Sequence, residues 1–182
     1  MTFDPGPRVD VTAESVDGQW RLVFTREFRR HSCERVWGAL TQPDQLARWS
    51  PWLASRPLDQ LSDVTLTMLD GDAREDMAAT VVAVDPPNTL EYRMGTDTFE
   101  WRLTPADTGC RLVLEHVTDE RDMMPMVAAG WHLCLAVADA NLAGEAQAPI
   151  RGADARNYGW EDLAKEYGET LDIPYTGWPF DE

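Results

Sequence analysis

Residues 26–52, REFRRHSCERVWGALTQPDQLARWSPW, constrain the fold of this chain more than any other stretch: a strand, a capped helix and a proline-started second helix follow almost without a linker. Ser32 is placed to N-cap a helix over residues 33–40, its hydroxyl taking a free backbone N–H, and Glu34 sits at the positive end of that helix dipole. Val36, Trp37 and Leu40 then share one face. Pro43 suits the first turn of a second short helix, where its missing N–H is not needed. That helix carries Leu46 and Trp49 and is closed by Pro51.

Around this core stretch the period alternates. Residues 9–28 carry two strand-like runs about Asp17-Gly18, a dipeptide that tolerates the positive φ angles of a tight hairpin. In the second run Trp20, Leu22 and Phe24 alternate with Arg21, Val23 and Thr25, which predicts one buried face. Residues 58–117 read as a meander with turns at Asp70-Gly71-Asp72, Asp85-Pro86-Pro87-Asn88, Gly95-Thr96-Asp97 and residues 105–109. Leu90/Tyr92/Met94, Phe99/Trp101/Leu103 and Leu112/Leu114/His116 should face inward. Glu91, Arg93, Glu100, Arg102 and Glu115 should pair across strands on the solvent side, where they would also be the contact surface for a protein partner.

One long apolar helix is predicted over residues 123–143, with Asp122 or Met124 as cap, Pro125 in its first turn and Gly144 at its end. Val127, Trp131, Cys134, Leu135, Ala138 and Leu142 recur at helical spacing and form a broad apolar face. Ala128, Ala129 and Gly130 allow either a close helix approach or room for a ligand. The order of elements gives an α+β fold, a sheet wrapped around a helix, a geometry that encloses a cavity. Residues 1–144 form that domain. Residues 145–182 form an acidic, aromatic-rich extension with an amphipathic helix over 157–167, ended by Gly168, and with Pro174, Tyr175, Trp178 and Phe180 beyond it. So aromatic a tail is expected to dock on the body.

Composition limits the partners. A formal net charge of −16 repels phosphate backbones and anionic lipid heads, which argues against nucleic acid or membrane surfaces. No basic leader precedes an apolar run, and no stretch of about 18 uninterrupted apolar residues occurs, so a cytoplasmic protein is the default. Cys33, Cys110 and Cys134 are an odd, scattered set and are expected to be reduced, mostly buried thiols; Cys33 alone begins a helix whose dipole would lower its pKa.

RVWGALTQPDQLARW at 35–49, LVLEH at 112–116 and GWHLCL at 130–135 together resemble the START-like (SRPBCC, helix-grip) superfamily, and within it the branch named for the activator of heat-shock-protein-ninety ATPase. The resemblance spans residues 23–144. It implies a curved antiparallel sheet gripping a long C-terminal helix, with two short helices between the first strands. The branch includes a eukaryotic co-chaperone domain and bacterial proteins of unknown role, and its cousins bind lipids or hormones or cyclise polyketides.

Three functional readings follow. The first is non-catalytic binding of a small apolar or aromatic molecule between sheet and long helix, desolvated by Trp49, Trp52, Phe99, Trp101, Leu114, Trp131 and Leu135 and oriented by His116. The plainer account of the same residues is core packing, since each buried aromatic removes on the order of 150–250 Å² from water. The second is a co-chaperone-like protein-interaction domain. The third is a cyclase-like or hydrolytic enzyme with His116 as general acid or base; otherwise His116 is a histidine satisfied by a backbone or tryptophan partner. His132 is expected off the apolar face, at a surface or rim, and His31 beside the helix cap is expected to be exposed. No HxxxH or HxH spacing and no GxSxG elbow is present, so no metal, cofactor or activated serine is expected.

Overall fold

A computed structural model describes residues 3–178; Phe180 of the aromatic tail lies outside them. The chain opens with β1 (Asp10–Val16) and β2 (Gln19–Arg29), then α1 (Cys33–Thr41) and α2 (Pro43–Leu46). Six further strands follow: β3 (Trp52–Ala54), β4 (Ser62–Asp70), β5 (Ala73–Asp85), β6 (Thr89–Met94), β7 (Asp97–Ala106) and β8 (Gly109–Thr118). The long helix α3 (Met124–Leu142) and a final helix α4 (Trp160–Leu171) complete the chain.

Local chemistry accounts for the boundaries. Asp17 and Gly18 have φ of 50° and 86°, the doubly positive turn that matches the twist of a two-residue hairpin. Ser32 caps α1, its Oγ accepting from the Arg35 N–H. Pro43 opens α2. After α3 ends, Gly144 turns the chain with φ of 87°.

The strands form one antiparallel sheet in the order β1-β2-β8-β7-β6-β5-β4-β3. Its register lines up the inward residues in rows. Tyr92, Phe99, His116 and Leu22 face one another across four strands, and Leu90, Trp101, Leu114 and Phe24 form the next row. The opposite face places Glu91, Glu100 and Glu115 in line, an arrangement that would repel itself. Arginines offset it: Arg102 bridges Glu100 and Glu115, Arg21 joins Glu115 to Glu14, and Arg93 lies 3.8 Å from Glu91.

The helix α3 lies against the concave face of the sheet, and α4 packs on its other side. This second cover changes what the sequence predicted for α3. Beyond the expected stripe, His132, Leu133, Ala136, Val137 and Ala140 are buried as well. A helix apolar all round must be covered all round. Its composition would also pass for a bilayer span, with a mean hydropathy of 1.3 over an 18-residue window, but 72% of that window is buried inside the domain.

Four expectations are corrected. Cys33 and Cys110 are not reduced thiols but a disulfide, with Cα atoms 5.1 Å apart; the pair joins the first residue of α1 to the start of β8, a proximity that spacing along the chain does not reveal. His132 is fully buried rather than at a rim, because α4 and the N-terminal arm close over it. It contacts the Tyr167 hydroxyl at 2.8 Å and the Pro5 carbonyl at 3.1 Å. His31 is buried rather than exposed, tucked between Arg35 and Asp139. The last helix begins at Trp160, after a 3-10 segment (Gly152–Tyr158), and runs through Gly168 instead of stopping there. Gly168 serves close packing: a Cβ there would stand 2.7 Å from the Ile173 carbonyl oxygen.

Candidate functional site

The interior between the sheet and α3 is packed with rings delivered from four places. Trp49 follows α2, Trp52 opens the edge strand β3, Phe99 and Trp101 project from β7, and Trp131 descends from α3. All eight residues singled out from the sequence are buried: Trp49, Trp52, Phe99, Trp101, Leu114, His116, Trp131 and Leu135. Their rings meet edge to face. Trp52 contacts Phe99 at 5.4 Å and Trp131 at 5.6 Å between centroids, and Trp101 meets Trp131 at 5.2 Å and Trp49 at 6.3 Å. Tyr92, which the sequence reading placed inward without assigning it to the site, stacks on Phe99 at 5.2 Å and touches Trp52 at 6.3 Å.

Polar groups in this aromatic interior are few and unevenly satisfied. The Trp49 N–H donates to the Ala39 carbonyl at 2.8 Å. The Trp101 N–H and His116 Nδ1 are buried with no hydrogen-bond partner, an arrangement that costs about 1–3 kcal/mol per group when nothing compensates it. Burial pushes the Tyr92 phenol upward in pKa, partly opposed by the Trp101 N–H, which nevertheless falls short of hydrogen-bonding geometry with any acceptor. Cys134, the one free cysteine, is buried and pushed up to about 12. A thiol so desolvated stays protonated and inert.

His116 has a partner that sequence reasoning missed. Its Nε2 lies 2.8 Å from Asp97 Oδ2, and its ring stacks on Phe99 with centroids 4.2 Å apart. In the sequence Asp97 reads as part of the turn Gly95-Thr96-Asp97. It nevertheless shares the parity of Phe99 and Trp101 on β7, so alternation alone would have placed it on the inward face. With the Asp97 carboxylate accepting from Nε2–H, the Nδ1 lone pair of His116 is left toward the interior. Among the described residues, no three His, Cys, Asp or Glu side chains come together in a way that could hold a metal ion.

A sheet folded round one long helix, with two short helices closing the gap after the second strand, defines a helix-grip domain. The chain belongs to the family described as activator of Hsp90 ATPase homolog 1-like protein, whose model matches residues 30–142. Solved structures repeat the fold. CalU16 from Micromonospora echinospora has a TM-score of 0.64 at 16% identity, over 89% of this chain and 96% of its own. A conserved protein of unknown function from Enterococcus faecalis has a TM-score of 0.65 at 17% identity, over 89% of this chain and 90% of its own. A Rhodobacter sphaeroides protein has a TM-score of 0.62 at 20% identity, over 74% and 99%. At such identities the likeness is one of fold. No curated protein matches the chain.

Proposed function

We propose that the domain binds a small apolar or aromatic molecule between the sheet and α3 without turning it over. The observation that carries this reading is the pair of unpartnered polar atoms, Trp101 Nε1 and His116 Nδ1, on the concave face within a shell of aromatic rings. A planar guest carrying one acceptor for the Trp101 N–H and one donor for His116 Nδ1 would satisfy both while replacing ring contacts. Trp52 is the side chain best placed to give way, since it stands on a three-residue edge strand. It makes three of the edge-to-face contacts, so swinging it out costs roughly 2–4 kcal/mol beyond its area. That cost favours an aromatic guest, whose own ring restores those contacts.

The test is native mass spectrometry of protein from its own host, with a thermal-shift panel of planar aromatics and lipids. A retained molecule, or a panel member that raises melting, is expected. Trp101→Phe removes the orphan donor and should weaken binding about fivefold. Repeated preparations that carry nothing, with an unresponsive panel, would overturn the reading and favour a protein partner instead.

A second reading is favoured by the His116–Asp97 pair. Asp97 fixes the tautomer that leaves Nδ1 as a base facing the interior, suited to taking a proton from a water molecule as its oxygen attacks a bound electrophile. Turnover lost in His116→Ala with guest binding retained would support it; binding without any turnover in the wild type would exclude it.

A further inference from the structure

On β2 the residues facing α3 run Leu22, Phe24, Arg26, Phe28, so one guanidinium stands where alternation calls for an apolar side chain. Arg26 keeps only 13% of its side chain exposed, and the acid it meets is shared. Asp139 on α3 lies 3.4 Å from Arg26 Nη2 and 3.5 Å from His31 Nε2, both long contacts. Arg26 Nε is buried with no acceptor. Beside it Arg35 donates to the Leu142 carbonyl at 2.8 Å.

Arg30 adds a second irregularity. It has φ of 65°, a left-handed conformation that costs any side chain with a Cβ and that persists where surrounding structure enforces it. Its N–H is held 2.6 Å from the Thr108 carbonyl. Arg29 and Arg30 are exposed, and neither side chain makes an ion pair or hydrogen bond among the described residues.

These groups line one open cleft of about 1710 Å³ between the N-terminal arm, β2 and the end of α3. It holds six of the fifteen arginines but only five of the thirty-two acids. In a chain of net charge −16 this is a local reversal of sign. Part of it has a structural account, since cations suit the negative end of a helix and Arg35 caps the Leu142 carbonyl. Arg29, Arg30 and the orphaned Arg26 Nε are surplus to that account.

We propose that this cleft binds a small organic anion. Its carboxylate or phosphate group is held by Arg26, Arg30 and Arg35, whose planar forks suit either group, and its apolar body rests on Ala136 and Ala140 of α3. A polyanion such as nucleic acid does not fit, because the acidic surface around the cleft repels it. The site is separate from the aromatic interior and stands or falls independently of it.

The experiment titrates the full chain with inorganic phosphate, citrate and octanoate, by calorimetry and thermal shift, at low and high salt. At least one should bind and lose affinity with salt. Phosphate alone would point to a phosphorylated ligand, and octanoate alone to a carboxylate with an aliphatic body. Arg30→Gly relieves the left-handed backbone, so the free protein should melt no lower while anion binding falls about tenfold or more. Arg26→Gln should weaken binding likewise; if it fails to fold, Arg30→Gly carries the test. Arg74→Gln, on the distant β4–β5 hairpin, should bind as the wild type does. The proposal is overturned if none of the three anions binds, if Arg30→Gly binds normally, or if Arg74→Gln weakens binding equally.

Discussion

The disulfide offers the sharpest quantitative test of the fold. Cys33 and Cys110 are 77 residues apart, and closing a loop of that length in the unfolded chain is worth about 4.5 kcal/mol in the chain-entropy treatment. Both residues are buried, at 7% and 0% exposure, so reduction also leaves two thiols in the core with little room to relax. Reducing the bond, or replacing both residues by alanine, should therefore cost about 4 kcal/mol. With a urea m-value of about 2 kcal/mol/M, the midpoint should drop by about 2 M. Tryptophan fluorescence would follow the transition in oxidised and reduced protein, and thiol titration in denaturant would count free cysteines. One reactive thiol, Cys134, is expected without reductant and three with it. Three thiols without reductant, or coincident urea midpoints, would refute the reasoning.

Two further outcomes follow from buried contacts. His132 has its pKa lowered to about 4, chiefly by burial and next by Arg26, so the unfolded chain takes up that proton first. Its contribution to stability is present above about 6.5 and is lost as the pH falls toward 4, on the order of 3 kcal/mol in all; urea melts across that window should show a shallower acid loss for His132→Gln than for the wild type. Gly168→Ala would set a Cβ 2.7 Å from the Ile173 carbonyl oxygen, at a cost of about 1–3 kcal/mol, and limited proteolysis should then cut the segment after α4 faster.

Much of the site was legible from period alone. Tyr92, Phe99, Trp101, Leu114 and His116 alternate on short strands, and a side chain's parity decides its face whatever the strand's neighbours are. Asp97 obeyed the same parity and was overlooked because turn chemistry at Gly95-Thr96 claimed it first. Arg26 occupies an inward position that no apolar pattern would assign to an arginine; only the approach of Asp139 from α3 makes the position tenable. Residues 157–168 misled in a different way, because glycine is a common helix stop, yet Gly168 sits inside α4 where the chain folds back too closely for a Cβ.

By itself the sequence determined the first hairpin at Asp17-Gly18, the cap at Ser32, the two short helices, the long helix and the inward set on β6, β7 and β8, because each follows from local dihedral preference or from a two- or 3.6-residue period; the short β3 and the bounds of the last helix do not. Tertiary structure alone decided which elements met: the Cys33–Cys110 bond, the burial of His31 and His132, the His116–Asp97 pair and the arginine-lined cleft. Those depend on residues from 19 to 127 positions apart along the chain, whose encounter is set by packing of whole elements rather than by any local rule.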